Sequence, residues 1–400
     1  MQQLRGMAAA SRQCRWAALS LSQVAGRFIP ELLHHPEDSS GITHELVAIS
    51  TTGGPERATS WLREHNVSRP ARVGIFPSWE KLLESGDFDV VYISSPTELH
   101  YSHIKKALEC QRNVLVERPA TVHQSQYQEL LDLARKQNVV LMEATWTRYL
   151  PVVEHLQTKL LKEVGEIRHI LIDIGVCMVP PDPAARSDSI KEKTQSTVDH
   201  LVTAFHWVNI IFDVSKLRHV KVTQVSRRAA STNRDPTGEL ITIRLTRSFD
   251  HEPEMTATIT ASMVPRKSSR SPDVQPKTKE QRPYIRIEAT KASIDVSLSE
   301  PGPQDLQSHF YDESRVAEDP NEENEVISKP IAKGHGMWYE ANEIAEKVAE
   351  RAGQKSTQGE AIGADETLRV LQWIEQAREL AGKPSKRDDE ANPTQDDEKS

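Results

Sequence analysis

The chain has 400 residues, of which 37% are hydrophobic and 27% charged, a composition typical of a water-soluble protein with two domains. A formal net charge of −8 gives no long-range attraction to nucleic acid or anionic lipid. No apolar run approaches the about 20 residues of a membrane span, and three widely spaced cysteines indicate reduced thiols. We therefore expect a cytoplasmic protein without nucleic-acid or membrane partners. Residues 1–30 lack acidic side chains and mimic a transit peptide, so organelle import is an alternative.

Strands and helices alternate in the first part of the chain. Ser22 stands where it caps the first helix, and further helices are predicted up to about His65, over 98–111 and over 123–137. Apolar runs predict strands at 15–21, 45–50, 89–95, 113–117 and 139–144. Such alternation is typical of a parallel sheet covered on both faces. We predict an α/β fold with a Rossmann-type domain over 14–145, after an N-terminal extension over 1–13.

The hydrophobic period changes in the second part of the chain. Every second residue is apolar in 167–176, 241–245, 255–263 and 294–298, which predicts a largely antiparallel open sheet. Helical spacing recurs over 198–214, 338–348 and 373–380. We therefore predict a C-terminal α+β domain over 146–383, with a flexible loop at 265–283 and a disordered polar tail at 384–400.

Three segments carry a resemblance to a known family. They are DVVYISSPTELHYSHIKKALECQRNVLVERPAT, LMEATWTRYLP and GHGMWYEANEIAEKV. In order and spacing they resemble the Gfo/Idh/MocA oxidoreductases, most of all the branch of dihydrodiol dehydrogenases and fungal NADP-dependent D-xylose dehydrogenases. The resemblance covers roughly residues 14–383. It implies an NAD(P) cofactor, a sugar-like or secondary-metabolite substrate oxidised or reduced at a hydroxyl or carbonyl carbon, and a homodimer formed through the C-terminal sheet.

The segment that would hold the cofactor pyrophosphate departs from the family pattern. A dinucleotide fold places glycines between its first strand and first helix so that the backbone can approach the phosphates. Here Ser20 and Ser22 replace the two leading glycines, and Gln23 and Val24 follow. The resemblance makes these four residues candidate cofactor contacts. Without it, the segment is a strand, a turn and a helix with a serine cap.

The end of the second predicted strand bears on the choice of cofactor. It reads Ile49-Ser50-Thr51-Thr52, without the acidic residue that binds the ribose hydroxyls of NAD. NADP is therefore favoured, with Ser50, Thr51 and Arg57 near its 2′-phosphate. The alternative is that this segment is only a turn.

The proton-handling positions of the family are also altered. Where the family has Glu-Lys-Pro, this chain has Glu117-Arg118-Pro119, and a guanidinium stays protonated and is a poor proton donor. The later Asp-x-Gly-x-Tyr/His motif retains Asp199 but has Thr203 at its last position, and a threonine hydroxyl is far less acidic than a phenol. His200 and His206 are candidate replacements for the lost acid or base.

Six further residues match the family segments that surround the cofactor. We expect the cofactor site to include Ser95, Pro96, His100, Glu117, Trp146 and Arg148. A string that begins like a zinc-binding HExxH at His44 has Ala48 in place of the second histidine, so no metal site is predicted.

Three functions remain open from the sequence. The first is an NADP-dependent oxidoreductase with an altered active site, in which Arg118 polarises the substrate oxygen. The second is a non-catalytic Rossmann-fold binding or regulatory protein. The third is a lyase or isomerase that acts on a carboxylate-bearing substrate.

Overall fold

The computed structural model describes residues 12–34, 41–67, 69–176, 201–212, 220–229, 239–249, 252–263, 285–297, 303–311, 324–332, 334–353 and 361–381. The chain divides into two compact units. The first comprises Met1–Glu154, Ser299–Gln304 and Lys329–Leu371, and the second His155–Leu298, Asp305–Ser328 and Gln372–Ser400. Each unit is built around its own sheet.

The first unit contains a parallel Rossmann sheet. Its main strands are β1 (Arg12–Ala18), β2 (Ile42–Ser50), β3 (Gly74–Phe76), β4 (Val90–Ile93), β5 (Asn113–Val116) and β6 (Leu141–Glu143). Their order is β6-β5-β4-β1-β2-β3, and a two-residue strand, Ala361–Ile362, extends the β6 edge. All these pairs are parallel, which confirms the predicted fold class. The order reverses between β1 and β4, where this fold forms its ligand crevice.

Helices cover both faces of this sheet. The helices of the first half are α1 (Ala25–Leu33), α2 (Gly54–Glu64), α3 (Trp79–Ser85), α4 (Thr97–Glu109) and α5 (Gln124–Gln137). The remaining helical segments of the described chain are α6 (Pro151–His155), a π-helical turn at Leu156–Leu160, α7 (Leu161–Glu163), α8 (Val202–Ile211), α9 (Trp338–Gly353) and α10 (Ala364–Ala381), of which the π-helical turn, α7 and α8 lie in the second unit. Short 3-10 turns occur at Pro70–Arg72 and Trp146–Tyr149.

Side chains of alternate strand residues pack into two separate hydrophobic cores, one on each face of the sheet. Trp16 and Tyr92 pack with residues of α1, α2 and α9 on one face, whereas Ala17 and Val91 pack with α3, α4 and α5 on the other. This follows from the two-residue period of a strand. The first core brings the side chain of Tyr92 to the face that α9 covers.

The second unit contains an eight-stranded, mostly antiparallel sheet. Its strands are β7 (Ile167–Val176), β8 (Val220–Ala229), β9 (Glu239–Phe249), β10 (Glu252–Met263), β11 (Ile285–Ala289), β12 (Ala292–Ser297), β13 (Asp305–Phe310) and β14 (Asn324–Ser328). Their order is β14-β13-β12-β11-β7-β10-β9-β8, with β7 and β10 parallel. Met255, Ala257 and Ile259 are buried and Thr256, Thr258 and Thr260 are partly exposed, so the predicted alternation is confirmed in the described part of β10.

Several expected boundaries need correction. The first strand begins at Arg12 rather than at residue 15, and the sequence did not predict β3, β8, β11, β13 or β14. β3 has only three residues, too few for a periodic signal. The predicted loop at 265–283 and the tail at 384–400 lie outside the described residues.

Two of the three cysteines lie among the described residues, and neither forms a disulfide. Cys14 is buried, and burial raises the pKa of its thiol to about 12, which is typical of an unreactive cysteine. Cys110 is only half-buried, because it follows the last turn of α4, and Cys177 is not among the described residues. Within the described ranges, no helix is long and apolar enough to cross a bilayer, and no cluster of His, Cys, Asp or Glu side chains could hold a metal ion.

Candidate active site

Three serine hydroxyls meet at the point where the strand order reverses. Ser22 Oγ accepts a hydrogen bond from the Ala25 backbone N–H over 3.1 Å and donates to Ser94 Oγ over 2.9 Å. Ser20 Oγ lies 2.9 Å from the same Ser94 oxygen. Ser22 therefore accepts the N–H of the first residue of α1, but the N-cap residue is Val24 and has no side-chain cap bond, so the expected cap residue needs correction. In this loop, hydroxyl groups occupy the space that glycines leave open in a dinucleotide fold.

The rest of this loop keeps features of a phosphate-binding turn. Gln23 and Val24 are exposed just before α1, and the buried Ala25 stands at the third glycine position, where alanine is also used. Gly26 is required by close packing, because a Cβ atom there would lie 2.5 Å from His65 Nε2. The N-terminal turn of α1 thus remains tightly packed and presents its polar groups at the ligand edge of the sheet.

The three candidate residues at and after the end of β2 have different environments. Ser50 is buried and donates its hydroxyl proton to the Leu19 carbonyl oxygen, so it serves the local structure. Thr51 Oγ1 accepts from the Gly53 N–H over 3.0 Å. Arg57 is exposed on α2, and its side chain lies over Gly53. Of the three, Thr51 and Arg57 are placed where they can meet a ligand.

The end of β4 is held by histidines. His100 is buried, with Nδ1 2.9 Å from the Pro119 carbonyl oxygen and Nε2 2.7 Å from the Ser95 carbonyl oxygen. The Ser95 hydroxyl lies 2.9 Å from His103 Nδ1. Pro96, which immediately precedes α4, is exposed. His100 therefore ties the β4 end to the β5 end, and its ring is already occupied on both nitrogens.

Four ionisable side chains lie near the end of β5, of which Tyr92 and Glu340 are buried and Glu117 and Arg118 half-buried. Tyr92 donates to Glu117 Oε1 over 2.6 Å, and Arg118 is the next residue along the chain. Glu340, on the first turn of α9, is only 1% exposed and interacts electrostatically with both Glu117 and Arg118. Arg118 Nη1 and Glu340 Oε2 are buried without a hydrogen-bond partner. We call these four residues the strand-end cluster.

Burial dominates the acid–base properties of this cluster. It raises the pKa of the Glu117 carboxyl, against the opposing effects of Arg118 and of the Tyr92 hydrogen bond. Burial and the negative charge of Glu117 raise the pKa of Glu340 well above its ordinary value, and Arg118 and a hydrogen bond from the Thr145 backbone N–H offset this in part. The pKa of Tyr92 is likewise raised, by burial and then by Glu117. Two carboxyl groups near one guanidinium thus favour retention of a proton.

The loop before α9 fixes the position of Glu340. Glu31 Oε1 accepts from the His335 backbone N–H over 2.8 Å, and Glu31 Oε2 accepts from the Met337 N–H over 3.0 Å. Gly334 has φ +63°, and a Cβ atom there would lie 2.6 Å from Glu31 Cδ. The Glu31 carboxylate therefore packs against Gly334, where a side chain would collide with it and where the backbone conformation favours glycine.

A second chain of hydrogen bonds secures the same helix to the sheet. Trp16 Nε1 donates to His44 Nδ1 over 3.0 Å, and His44 Nε2 lies 2.8 Å from Asn342 Oδ1. Since His44 Nδ1 accepts, Nε2 carries the proton and donates to Asn342. His44 therefore has a structural role.

Trp146 and Arg148 lie on the 3-10 turn after β6. Arg148 forms an ion pair with Glu366 of α10, and Trp146 makes an edge contact with His335, with ring centroids 6.4 Å apart. The guanidinium of Arg148 is thus engaged by the protein itself, and these two residues support the neighbouring loops.

The remaining candidates belong to the second unit. Thr203 is half-buried in the first turn of α8, and His206 is buried on the same helix. Asp199 and His200 lie outside the described residues, so their roles stay predictions.

The sequence analysis missed Glu340, although a signal for it was present. Ala341 and Ile344 of α9 are buried, as is Met337 just before the helix, and Glu340 has the spacing of that same stripe. A carboxylate within an apolar helical stripe indicates a buried charge, and buried charges are partnered or functional. The helical spacing over 338–348 predicts the helix but does not by itself single out Glu340.

The sheet order defines the first unit as a Rossmann-type fold. The profile of the oxidoreductase family with an NAD-binding Rossmann fold, Gfo/Idh/MocA, matches residues 22–145. Residues 22–145 of the chain therefore belong to this oxidoreductase family.

Two relatives illustrate the relationship in sequence. The D-xylose 1-dehydrogenase (NADP(+)) of Hypocrea jecorina is 24% identical over 394 residues, which cover 92% of each chain. The trans-1,2-dihydrobenzene-1,2-diol dehydrogenase of Xenopus tropicalis is 31% identical over 163 residues. That match covers 40% of this chain and 46% of the relative, so it relates only about half of that protein.

Solved structures of low sequence identity share the fold. A 3-ketoreductase from Actinomadura kijaniata, in complex with NADP and TDP-benzene, superimposes with a TM-score of 0.64 at 18% identity and covers 92% of this chain and 98% of its own. An aldose-aldose oxidoreductase from Caulobacter crescentus, complexed with glycerol, gives 0.63 at 15% identity with the same coverage. At such identities the likeness establishes the fold alone.

Proposed function

We propose that this protein is an NADP-dependent oxidoreductase with an altered active site, acting on a hydroxyl or carbonyl carbon of a sugar-like or secondary-metabolite substrate. The observation that carries the proposal is Arg118 Nη1, a buried donor without a partner just past the carboxyl end of β5. Ligands of this fold bind at that edge of the sheet, and buried donors without partners are rare unless a ligand completes them.

The residues present fit a dinucleotide, with hydroxyl groups in place of two glycines. Ser20 and Ser22 can turn their protons from Ser94 to phosphate oxygens, beside the exposed Gln23 and Val24. Thr51 and the exposed Arg57 suit the 2′-phosphate of NADP, and Ser50 fixes the loop beneath them. When bound, the nicotinamide supplies or accepts the hydride.

The chain itself orients and polarises the substrate in this proposal. Arg118 donates to the substrate oxygen and stabilises negative charge on it. Ser95, Pro96, His100 and Glu117 are the further candidates near the ends of β4 and β5. The reaction also needs a proton donor or acceptor, for which the sequence offers Asp199, His200 and His206 as candidates, with Thr203 at the position of the family tyrosine or histidine.

The test is a titration of the purified protein with NADPH and with NADH, following nicotinamide fluorescence and thermal stability together. We expect NADPH to bind more tightly than NADH, and Arg57→Ala to remove that preference without weakening NADH. A cofactor that leaves both signals unchanged at millimolar concentration would contradict the proposal.

One observation favours a second candidate, a non-catalytic binding or regulatory protein. The hydroxyl groups of Ser20 and Ser22 already bond to Ser94, so the loop is satisfied without phosphate. Capture of a stable partner that Arg118→Ala does not disturb, in a protein that binds neither cofactor, would support it. A lyase or isomerase would be recognised by a product at the same oxidation level as its substrate.

We also propose a homodimer formed through the C-terminal sheet. In β10 the partly exposed Thr256, Thr258 and Thr260 alternate with buried residues, which leaves one regular face suited to packing against a second copy. Sedimentation equilibrium that returns a 45.0 kDa species at all concentrations would contradict this.

A further inference from the structure

We propose that Arg118 binds a carboxylate group of the substrate, and that a proton held by Glu340 keeps this site attractive to negative charge. The substrate class is then a sugar acid or a similar hydroxy acid rather than a neutral sugar. This inference rests on the proposed function and narrows it, because the substrate oxygen to which Arg118 donates is then a carboxylate oxygen.

The chemistry of Arg118 supports an anionic ligand. A guanidinium offers parallel N–H donors whose geometry matches the two oxygens of a carboxylate. Arg118 Nη1 has no hydrogen-bond partner, so within the described structure at least one donor is unused. A neutral hydroxyl or carbonyl would use one donor, whereas a carboxylate can use two and gain the charge interaction as well.

The local charge decides whether an anion can enter. Glu117 and Glu340 face Arg118, His100 lies near Glu117, and Glu31 lies near Glu340. Glu31 already accepts two backbone N–H groups and lies 2.6 Å from His335 Nδ1. If Glu117 and Glu340 are both ionised, they outweigh Arg118 by one negative charge. With one proton between them, the three groups are neutral, and Arg118 can attract an added carboxylate.

The burial of Glu340 places that proton. Its side chain is 1% exposed and Oε2 has no hydrogen-bond partner, so ionised Glu340 would lack both water and a neighbouring donor at that oxygen. Glu117 Oε1, in contrast, accepts a hydrogen bond from the Tyr92 hydroxyl, and Arg118 is the next residue along the chain. Of the two carboxyl groups, Glu340 is therefore the one that keeps the proton.

The experiment measures binding of D-gluconate, with D-glucose as the neutral counterpart, to the full chain saturated with NADPH, by calorimetry from pH 6 to pH 9. We expect gluconate to bind at least about tenfold more tightly than glucose at pH 6. Its affinity should fall as the pH rises, because loss of the Glu340 proton adds a negative charge beside Arg118. The unmodified protein tests this point without any variant.

Two variants separate Glu340 from general effects of pH. Glu340→Gln keeps the shape and the neutral state, so gluconate affinity should stay nearly constant over the same range. Glu343→Gln is the matched control, since Glu343 lies on the same helix and burial also raises its pKa. The control should keep the pH dependence of the unmodified protein.

The possible outcomes are distinct. Equal affinity for gluconate and glucose, or the same pH dependence in Glu340→Gln as in the unmodified protein, overturns the inference while NADPH binding leaves the proposed function intact. Inorganic phosphate that displaces gluconate at equal concentration would show an unselective anion site and overturns the carboxylate assignment. Failure of every variant to bind NADPH would instead count against the proposed function.

Discussion

The ends of β1 and β5 belong to the same edge of one sheet but treat their polar groups in opposite ways. After β1, Ser20 and Ser22 form hydrogen bonds with Ser94, which follows β4, and Ser22 also accepts the first amide N–H of α1. After β5, Arg118 buries a polar atom without a hydrogen-bond partner, and so does Glu340 of α9, which interacts with it electrostatically. An unsatisfied buried polar group costs free energy, and a bound ligand would offset that cost. The comparison therefore motivates the proposal that the strand-end cluster, rather than the phosphate loop, recognises the substrate.

The largest effect is expected at the strand-end cluster, where Arg118 Nη1 lacks a hydrogen-bond partner. Arg118→Met should lower kcat/KM about 100-fold, equivalent to about 2.7 kcal/mol, because a charge-assisted hydrogen bond to the substrate is lost. The free energy of unfolding should change much less, since Nη1 has no protein partner. Arg118→Lys, which keeps the charge but not the fork, should recover part of the activity. Equal losses of stability and activity would make Arg118 a structural residue.

A pH series on Glu340→Gln tests the same cluster through stability. Burial raises the folded-state pKa of Glu340 above its ordinary value of 4.5, so the folded chain keeps a proton that the unfolded chain releases. The stability that the protonated Glu340 contributes to the folded chain is fully present below about pH 4.5 and is lost as the pH rises through the raised folded-state pKa. The stability of Glu340→Gln relative to the unmodified protein should therefore increase with pH in urea unfolding at pH 5 to 8. A constant difference would mean that Glu340 is ionised in the folded state.

A smaller effect is expected where α1 holds the loop before α9. Gly334→Ala adds a Cβ atom 2.6 Å from Glu31 Cδ at a positive φ, and we expect a loss of about 1–2 kcal/mol in unfolding free energy. Gly41→Ala is the control, because Gly41 also has positive φ but no atom lies within 4 Å of the added Cβ. A larger loss at Gly41 than at Gly334 would show that the contact with Glu31 contributes nothing.

The smallest effect is expected in the loop after β1, where the serine hydroxyls are hydrogen-bonded to that of Ser94. Ser22→Gly removes the acceptor of the Ala25 N–H, which should cost a few tenths of a kcal/mol in thermal unfolding. Combined with Ser20→Gly it restores an open loop, and NADPH should bind more tightly in the fluorescence titration. Unchanged affinity in the double variant would show that the serine hydroxyls replace the glycines at no cost.

The sequence predicted the parts of the candidate active site that depend on position along one strand or loop. The replacement of loop glycines by Ser20 and Ser22, and of the family lysine by Arg118, is visible in the order of residues alone. The hydrogen bond from the Ala25 N–H to Ser22 was also predictable, because it joins residues three apart. The engagement of Arg148 by Glu366 and of Ser50 by Leu19 was not, since those partners are distant in the chain.

The sequence by itself determined the fold class of this protein, because strand and helix periods are local properties that any window of residues shows. It also determined that the loop glycines and the lysine of the family pattern are replaced in this chain. Only the tertiary structure decided which polar atoms are left without partners, because Tyr92, Glu117 and Glu340 meet across more than 200 residues of chain. The charge state of such a cluster depends on burial and on neighbouring charges in space, and neither can be read from the order of residues.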